Sequence, residues 1–184
     1  ASRFLTKVYR ESYGIFADHG ILFNHEGIRR GEEFVTRKIT KGVAAIKSAI
    51  NQGKQFSPLL LGNVDSKRDW SDSEDFIEGI WLMMNQDTPR EYILSSNETH
   101  SIREFVDLAF QCVGINGKWF GEGMEETFVS QEIDMGGADI KVLAGISEEF
   151  YRPCEVNILH GDSNPIREEL GWKPKYSFHD LVSR

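Results

Sequence analysis

The sequence has 184 residues, of which 40% are hydrophobic and 11% aromatic, a share that supports a folded core and excludes a disordered or fibrous chain. Its 21 Lys and Arg residues stand against 29 Asp and Glu residues, which gives a formal net charge of −8. We therefore expect no nucleic-acid partner, because a phosphate backbone is bound by clustered positive charge.

Strands and helices are predicted to alternate along the chain. Apolar residues between Ile15 and Phe23 indicate a buried strand that carries the polar loop Asn24–Gly27 at its carboxyl end. Farther along, periodic apolar residues and capping spacings predict a helix at 32–51, a strand at 57–61, a helix from a Ser71 cap to Met84, a strand at 91–95, a helix from a Ser101 cap to Val113, short strands within 117–144, a helix from Pro165 to a Gly171 stop, and a last helical turn or two at 177–182. This alternation predicts an α/β fold, and the lack of a linker-like segment predicts one unit over residues 1–184.

The cysteines and histidines predict neither a disulfide framework nor a metal site. Cys112 and Cys154 are far apart and outside any C-x-x-C pattern, and the histidines lack the spacing of metal ligands. Cys112 falls on the apolar side of its predicted helix, so we expect it in the core. With no signal peptide and no apolar run of membrane-spanning length, we expect a cytoplasmic protein that does not bind membranes. Because the chain begins at Ala1 rather than Met, we expect it to be a piece of a longer protein.

A local group of cations follows the first predicted strand. Arg29 and Arg30 lie between that strand and the next helix, and Arg37 and Lys38 follow within the helix. Adjacent arginines beside a helix N-terminus can bind a phosphate through charge-assisted hydrogen bonds. A solvated helix start with pairs such as Glu33 to Arg37 explains the same pattern, and composition leaves both readings open.

Two further segments place arginine beside an acid. Arg68 stands next to Asp69, and Arg152 is followed by Glu155 across a proline. Either segment could bind a phosphate or a sugar edge. Taken alone, the first is more typical of a structural ion pair before a helix cap, and the second of a turn.

The sequence lacks the motifs that bind a dinucleotide cofactor and supply the catalytic base of a dehydrogenase. The chain contains no G-x-x-G-x-x-G or G-x-G-x-x-G loop and no Tyr-x-x-x-Lys pair. The sequence therefore assigns no catalytic residue.

Several longer motifs stand in a specific order. They are Y-R-E-S-Y-G at Tyr9–Gly14, L-F-N-H-E at Leu22–Glu26, R-G at Arg30–Gly31, F-V-T-R-K-I at Phe34–Ile39, L-G-N at Leu61–Asn63, R-D-W at Arg68–Trp70, Y-R-P-x-E at Tyr151–Glu155 and L-G-W-K-P at Leu170–Pro174. In this order they resemble the GDP-mannose 4,6-dehydratases, which are extended short-chain dehydrogenase/reductases, over about residues 8–182. The chain departs from the family at Gly27-Ile28, where Ser-Pro is usual, and at Ser71-Asp72, where Gly-His is usual.

The resemblance implies the carboxyl-terminal half of such an enzyme: the last strands of a Rossmann-type parallel sheet plus a mixed α/β substrate-binding domain. It implies that the amino-terminal part, with the glycine-rich NADP loop and the catalytic Thr, Glu, Tyr and Lys, is absent from this chain. The implied reaction oxidises C4 of GDP-mannose by hydride transfer to NADP, eliminates water across C5–C6 and returns the hydride to C6, giving GDP-4-keto-6-deoxymannose. The chain alone is then expected to be inactive.

The resemblance also implies roles for individual residues and partners. Cofactor-binding residues would be His25 and Arg30, in a loop that reaches a neighbouring subunit of the oligomer. Residues that bind GDP-mannose would be Asn24, Lys38, Arg68, Arg152 and Glu155. The expected partners are GDP-mannose, NADP, and either further copies in a dimer or tetramer or a separate amino-terminal half. The alternative is a non-catalytic subunit that binds nucleotide sugars or serves in assembly.

Overall fold

The computed structural model describes residues 1–130, 141–151, 154 and 156–184. The helices of these residues are α1 (Ser2–Tyr13), α2 (Val35–Asn51), α3 (Ser73–Met84), α4 (Ile102–Cys112), α5 (Asn164–Leu170) and α6 (Phe178–Ser183). The strands are β1 (His19–Leu22), β2 (Asn24–Glu26), β3 (Leu59–Leu61), β4 (Lys67–Arg68), β5 (Trp70–Asp72), β6 (Glu91–Leu94), β7 (His100–Ser101), β8 (Gly117–Phe120), β9 (Thr127–Ser130), β10 (Val142–Ile146) and β11 (Ile158–Leu159). The α/β class predicted from the sequence is confirmed. Of the described helices, none combines the length and the apolar character that crossing a bilayer requires.

The chain divides into two compact units, each assembled from three separate stretches. The first unit comprises Ala1–Gly27, Arg68–Thr99 and Leu159–Leu181, and the second comprises Ile28–Lys67, His100–Ile158 and Val182–Arg184. Because each unit combines separate stretches of the chain, the sequence contains no single linker or boundary from which the two units could have been predicted.

The first unit is built on a pair of parallel strands. β1 and β6 pair in register from His19 opposite Glu91 to Leu22 opposite Leu94. The buried side chains that pack together beside this pair come from α3, β6, α5 and the segment after α5, and they are Phe76, Met83, Tyr92, Leu94, Ile166 and Trp172. Apolar spacing in α3 and α5 thus covers a parallel pair, as such strands require.

At the amino end of this unit, one sequence expectation is wrong and one element was missed. The strand predicted from Ile15 begins only at His19, and Ile15 and Phe16 are 47% and 46% exposed. The helix at Ser2–Tyr13 was not predicted. It buries none of its residues, and Gly14 ends it in the left-handed conformation that is usual for a helix stop.

The cap of α3 also differs from its prediction. Asp72, rather than Ser71, is the N-cap, and its carboxylate accepts a hydrogen bond from the Glu74 backbone N–H. Ser71 lies inside β5, because the parallel ladder with β2 continues until Glu26 pairs with Asp72. Strand pairing therefore moves the helix start by one residue.

The second unit contains a four-stranded mixed sheet in the order β3-β10-β9-β8. β10 is parallel to β3 and antiparallel to β9, and β8 is antiparallel to β9. Helices α2 and α4 contact each other, and their buried apolar residues include Ile39, Val43, Ile46, Phe105 and Phe110. The apolar steps of three and four read from the sequence are those that face this core.

Some helix ends follow the predicted signals and one does not: α2 was predicted from residue 32 but begins at Val35, after Phe34, which makes no side-chain cap. Ser101 and Glu104 form the predicted capping box, and Gly53 and Gly171 have the left-handed backbone that follows a helix. The expectation that Cys112 is a core residue is wrong: both cysteines are free and exposed. Cys112 is the last residue of α4, and its sulfur lies 3.3 Å from Ser183 Oγ.

Asp75 gives a testable pH dependence of stability. It is 1% exposed, and its Oδ2 accepts hydrogen bonds from the backbone N–H groups of Lys175 and Tyr176, at 3.0 and 3.2 Å. Burial nevertheless raises the pKa of this carboxyl above its ordinary value. The folded state therefore binds more protons than the unfolded state in the window above the unfolded pKa, so this group makes stability fall as pH rises through that window.

We expect the stability of Asp75→Asn, relative to wild type, to increase from pH 4 to pH 7, because the amide can keep the acceptor oxygen without the buried charge. Asp180→Asn is the matched control. Hydrogen bonds from Ser177 lower the pKa of Asp180, so that variant should lose stability relative to wild type as pH rises from 3 to 5. Urea unfolding at each pH measures both. Equal pH profiles for Asp75→Asn and wild type would contradict the account.

Candidate functional site

His25 lies just beyond the carboxyl end of β1, the edge at which parallel sheets bind ligands. Its Nδ1 is 2.8 Å from the carbonyl oxygen of Phe23, and its ring packs on Phe76 with centroids 5.3 Å apart. Because a carbonyl oxygen can only accept, Nδ1 carries the proton of this hydrogen bond. Nε2 is therefore the atom through which the imidazole can meet a ligand.

Two buried polar atoms beside His25 have no hydrogen-bond partner among the described residues. They are Oδ1 of Asn24 and Oγ of Ser71. Asn24 precedes His25 in β2, and Ser71 pairs with His25 across the parallel ladder. Since a buried polar atom without a partner costs free energy, the pair fits a place where a polar ligand supplies hydrogen bonds.

Asp69 organises the loops at this edge of the first unit. It is fully buried, and Oδ1 accepts hydrogen bonds from the backbone N–H and the hydroxyl of Ser96, both at 2.7 Å. Oδ2 accepts from the backbone N–H groups of Asn97 and Gly161, at 3.2 and 3.3 Å. Partly buried Arg68 directly precedes Asp69. The sequence paired this carboxylate with arginine, and the hydrogen bonds show that it joins the segment after β6 to Gly161.

Asn97 extends the same network. Its backbone has a φ of 65°, which asparagine tolerates better than most residues. Its Oδ1 accepts hydrogen bonds from the backbone and hydroxyl of Ser163, both at 2.7 Å, and its Nδ2 donates to Asn164. The Ser163 hydroxyl in turn accepts from Arg167, whose guanidinium also donates to the Ser96 carbonyl. The loop after β6 is thus tied by polar side chains to the start of α5.

Lys38 is the predicted substrate residue whose surroundings are best defined in the second unit. It lies in the first turns of α2, and its Nζ is 3.1 Å from the centroid of the Phe150 ring. Burial lowers the pKa of Lys38, and the nearby charge of Glu149 partly offsets this by raising it. The ammonium group therefore stands partly out of water in a place where an anion would be attracted strongly.

Arg30 is held against an aromatic ring as well. Its guanidinium carbon lies 3.6 Å from the centroid of the Phe34 ring, just before α2. Arginine stacks readily on aromatic faces and keeps its planar set of donors for a carboxylate or phosphate. This orients Arg30 in the loop that the sequence assigned to a cofactor.

The sequence-predicted residues are distributed over both units. Asn24, His25 and Arg68 belong to the first unit, and Arg30 and Lys38 belong to the second. Arg152 and Glu155 lie outside the described residues. Sequence reasoning missed the aromatic partners of Lys38 and Arg30. The sequence did offer a signal for both: Phe150 directly precedes the Y-R-P-x-E motif, and Phe34 is the first residue of F-V-T-R-K-I.

The described residues contain no group of three or more His, Cys, Asp or Glu side chains placed to hold a metal ion. In the first unit, Arg68, His25 and Asn24 offer a cation, an imidazole and an amide, and in the second unit Arg30 and Lys38 offer two cations. Side chains of these types suit anionic groups and hydroxyl groups, such as those of nucleoside diphosphates and their sugars.

Comparison with known proteins places the sequence among nucleotide-sugar enzymes. A family model described as GDP-mannose 4,6 dehydratase matches residues 1–184. The GDP-mannose 4,6 dehydratases of Drosophila melanogaster and Homo sapiens are 45% and 42% identical to the chain, each over 95% of its length. The match covers 42% and 44% of those two proteins, so the chain spans less than half of their length.

Solved structures agree on the fold. The structure of RMD from Pseudomonas aeruginosa complexed with NADPH aligns with a TM-score of 0.71 at 17% identity, over 100% of this chain and 51% of that one. The dTDP-glucose 4,6-dehydratase from Bacillus anthracis str. Ames in complex with NAD aligns with a TM-score of 0.68 at 14% identity, over 99% and 47%. These similarities confirm the predicted Rossmann-type α/β fold.

Proposed function

The chain belongs to the GDP-mannose 4,6-dehydratase family, and we propose that it is the carboxyl-terminal, substrate-binding part of an enzyme that converts GDP-mannose to GDP-4-keto-6-deoxymannose, a step toward GDP-fucose and other deoxyhexoses. The observation that carries the proposal is the family match over the whole chain together with relatives at 42–45% identity. The alternative is a subunit that binds nucleotide sugars or assists assembly without catalysis.

On the substrate side, Lys38 and Arg68 bind the diphosphate, and Asn24 binds a polar group of the sugar nucleotide. The cation–π contact of Lys38 and the partnerless Oδ1 of Asn24 support these roles, because both leave polar groups suited to an anionic, hydroxyl-rich ligand. Arg152 and Glu155 complete the set through the Y-R-P-x-E motif, with the carboxylate on a ribose or base edge.

On the cofactor side, we assign His25 and Arg30 to NADP. The residues fit an anionic dinucleotide, because Arg30 carries a positive charge and is oriented by stacking on Phe34, and His25 is oriented through Nδ1. The nicotinamide supplies hydride acceptance and return when it is bound. The role of His25 and Arg30 is to bind and orient.

Further parts of the proposal concern assembly and compartment. We propose that the chain acts in a homo-oligomer or together with a separate amino-terminal half, since the relatives are more than twice as long as the matched segment. We assign it to the cytoplasm, where thiols such as the exposed Cys112 and Cys154 stay reduced.

Binding of GDP to the 184-residue chain tests the substrate assignment. Arg68→Met should weaken GDP binding by roughly 10- to 100-fold, because charge-assisted hydrogen bonds contribute about 1.5–3 kcal/mol each. Lys67→Met is the matched control: it removes the same charge one residue away from an exposed position, and it should change affinity by less than about threefold. Isothermal titration calorimetry measures both. Equal GDP affinity in wild type and Arg68→Met would refute the role of Arg68.

A further inference from the structure

Phe150 has no assigned role in the proposed function, although the centroid of its ring lies 3.1 Å from the Lys38 ammonium nitrogen. We propose that Phe150 is a positioning residue for Lys38, holding the ammonium at the carboxyl ends of β3 and β10 where it binds a phosphate or pyrophosphate group. This inference rests on the proposed function, which gives Lys38 to the substrate. The inference adds Phe150 as the residue that fixes the position of the Lys38 ammonium group.

The backbone around Phe150 is held in place by hydrogen bonds. β3 and β10 are parallel, with Leu61 opposite Ile146, so their carboxyl ends meet at one edge of the sheet. The Ser147 N–H donates to the Leu61 carbonyl at 2.8 Å, and the Phe150 N–H donates to the Ser147 carbonyl at 3.1 Å. The short 3₁₀ turn Glu148–Phe150 is therefore tied to the end of β3.

Gly62 allows this turn to come close. A Cβ built on Gly62 would overlap the carbonyl oxygen of Phe150, which is backbone and cannot swing away as a flexible side chain can. The close approach of the Phe150 carbonyl therefore explains why the L-G-N motif has glycine at this position. Glycine permits the contact that brings the Phe150 ring to the edge where Lys38 stands.

An aromatic ring is well suited to orient a lysine that must bind an anion. A carboxylate in the place of the ring would pair with the ammonium and repel a phosphate, whereas a ring face attracts the cation through its quadrupole and carries no net charge. Glu149, the residue before Phe150, acts on Lys38 only as a nearby charge that raises its pKa. Phe150 is 39% exposed, so its substitution does not open the apolar core. The ring therefore fixes the position of the charge without cancelling it.

The test is a double-mutant cycle with inorganic pyrophosphate as the probe, measured by isothermal titration calorimetry on the 184-residue chain. Phe150→Leu keeps apolar bulk but removes the π face, and we expect it to weaken pyrophosphate binding by about 3- to 30-fold. Phe150→Tyr keeps the ring and should remain within about twofold of wild type. Lys38→Met should weaken binding at least as much as Phe150→Leu does.

The decisive variant combines the two substitutions. Because Phe150 acts through Lys38, adding Phe150→Leu to Lys38→Met should cause no further loss, whereas a purely structural role would add its effect in both backgrounds. Additive losses, or equal affinity for Phe150→Leu and wild type while Lys38→Met binds weakly, would overturn the inference and leave the proposed function standing. Unchanged affinity in Lys38→Met, or no pyrophosphate binding by wild type at millimolar concentration, would overturn both the inference and the assignment of Lys38.

Discussion

Replacement of Asp69 by alanine is expected to lower the free energy of unfolding by about 3–5 kcal/mol. The side chain is fully buried, and its two oxygens accept hydrogen bonds from Ser96, Asn97 and Gly161. Alanine would leave three backbone N–H groups without their acceptor, whereas the Ser96 hydroxyl could still donate to the Glu98 carbonyl. Each buried donor that loses its partner costs about 1–3 kcal/mol, and partial entry of water makes the sum smaller than the separate costs.

Denaturant unfolding at neutral pH measures this loss, with Asp87→Ala as the control. Asp87 is an exposed aspartate of the same unit, so its removal should change stability by less than about 0.5 kcal/mol. Asp69→Asn keeps one acceptor oxygen and should fall between Asp69→Ala and wild type. A loss below about 1 kcal/mol for Asp69→Ala would mean that the Ser96 and Gly161 segments do not depend on this carboxylate.

The second large effect concerns turnover: the purified 184-residue chain should form no measurable product from GDP-mannose and NADP. The chain has no glycine-rich phosphate loop to hold the dinucleotide and no Tyr-x-x-x-Lys pair to remove the proton of a sugar hydroxyl. General acid–base catalysis contributes roughly 10²–10⁴-fold, and placing two reactants side by side contributes several further powers of ten. Losing both together should bring the rate to background.

Mass spectrometry of the nucleotide-sugar pool after prolonged incubation detects the keto sugar with high sensitivity. Heat-inactivated protein gives the background for comparison. Product formed by the chain above this background would show that residues within these 184 supply a base and hold the cofactor, against the present account.

Secondary structure was predictable where local chemistry decides it. The capping box of Ser101 and Glu104, the left-handed glycines Gly53 and Gly171, and the apolar face of α2 are all set by neighbours a few residues away. The start of α3 was not predictable in this way, since pairing of β5 with β2 decides it. Pairing between strands that are distant in sequence cannot be recognised from the spacing of residues in a capping motif.

The candidate site shows the same division. Family motifs in the sequence pointed to His25, Arg30, Lys38 and Arg68, whereas residue type alone left a phosphate site and a solvated helix start both open for the cations near Arg30. The contacts that orient these groups come from residues distant in sequence: Phe150 lies more than a hundred positions after Lys38 and reaches it only because β10 pairs beside β3. Only the folded chain reveals such partners.

The central claim is that this chain is the substrate-binding part of a GDP-mannose 4,6-dehydratase. Its most direct test is turnover by a chimera in which the 184 residues replace the matching segment of the Drosophila melanogaster relative, 45% identical over 175 residues. We predict that the chimera converts GDP-mannose to the 4-keto-6-deoxy sugar in the presence of NADP, and that Arg68→Met in the chimera lowers kcat/KM by at least tenfold. A folded chimera that binds NADP but neither binds nor converts GDP-mannose would contradict the claim.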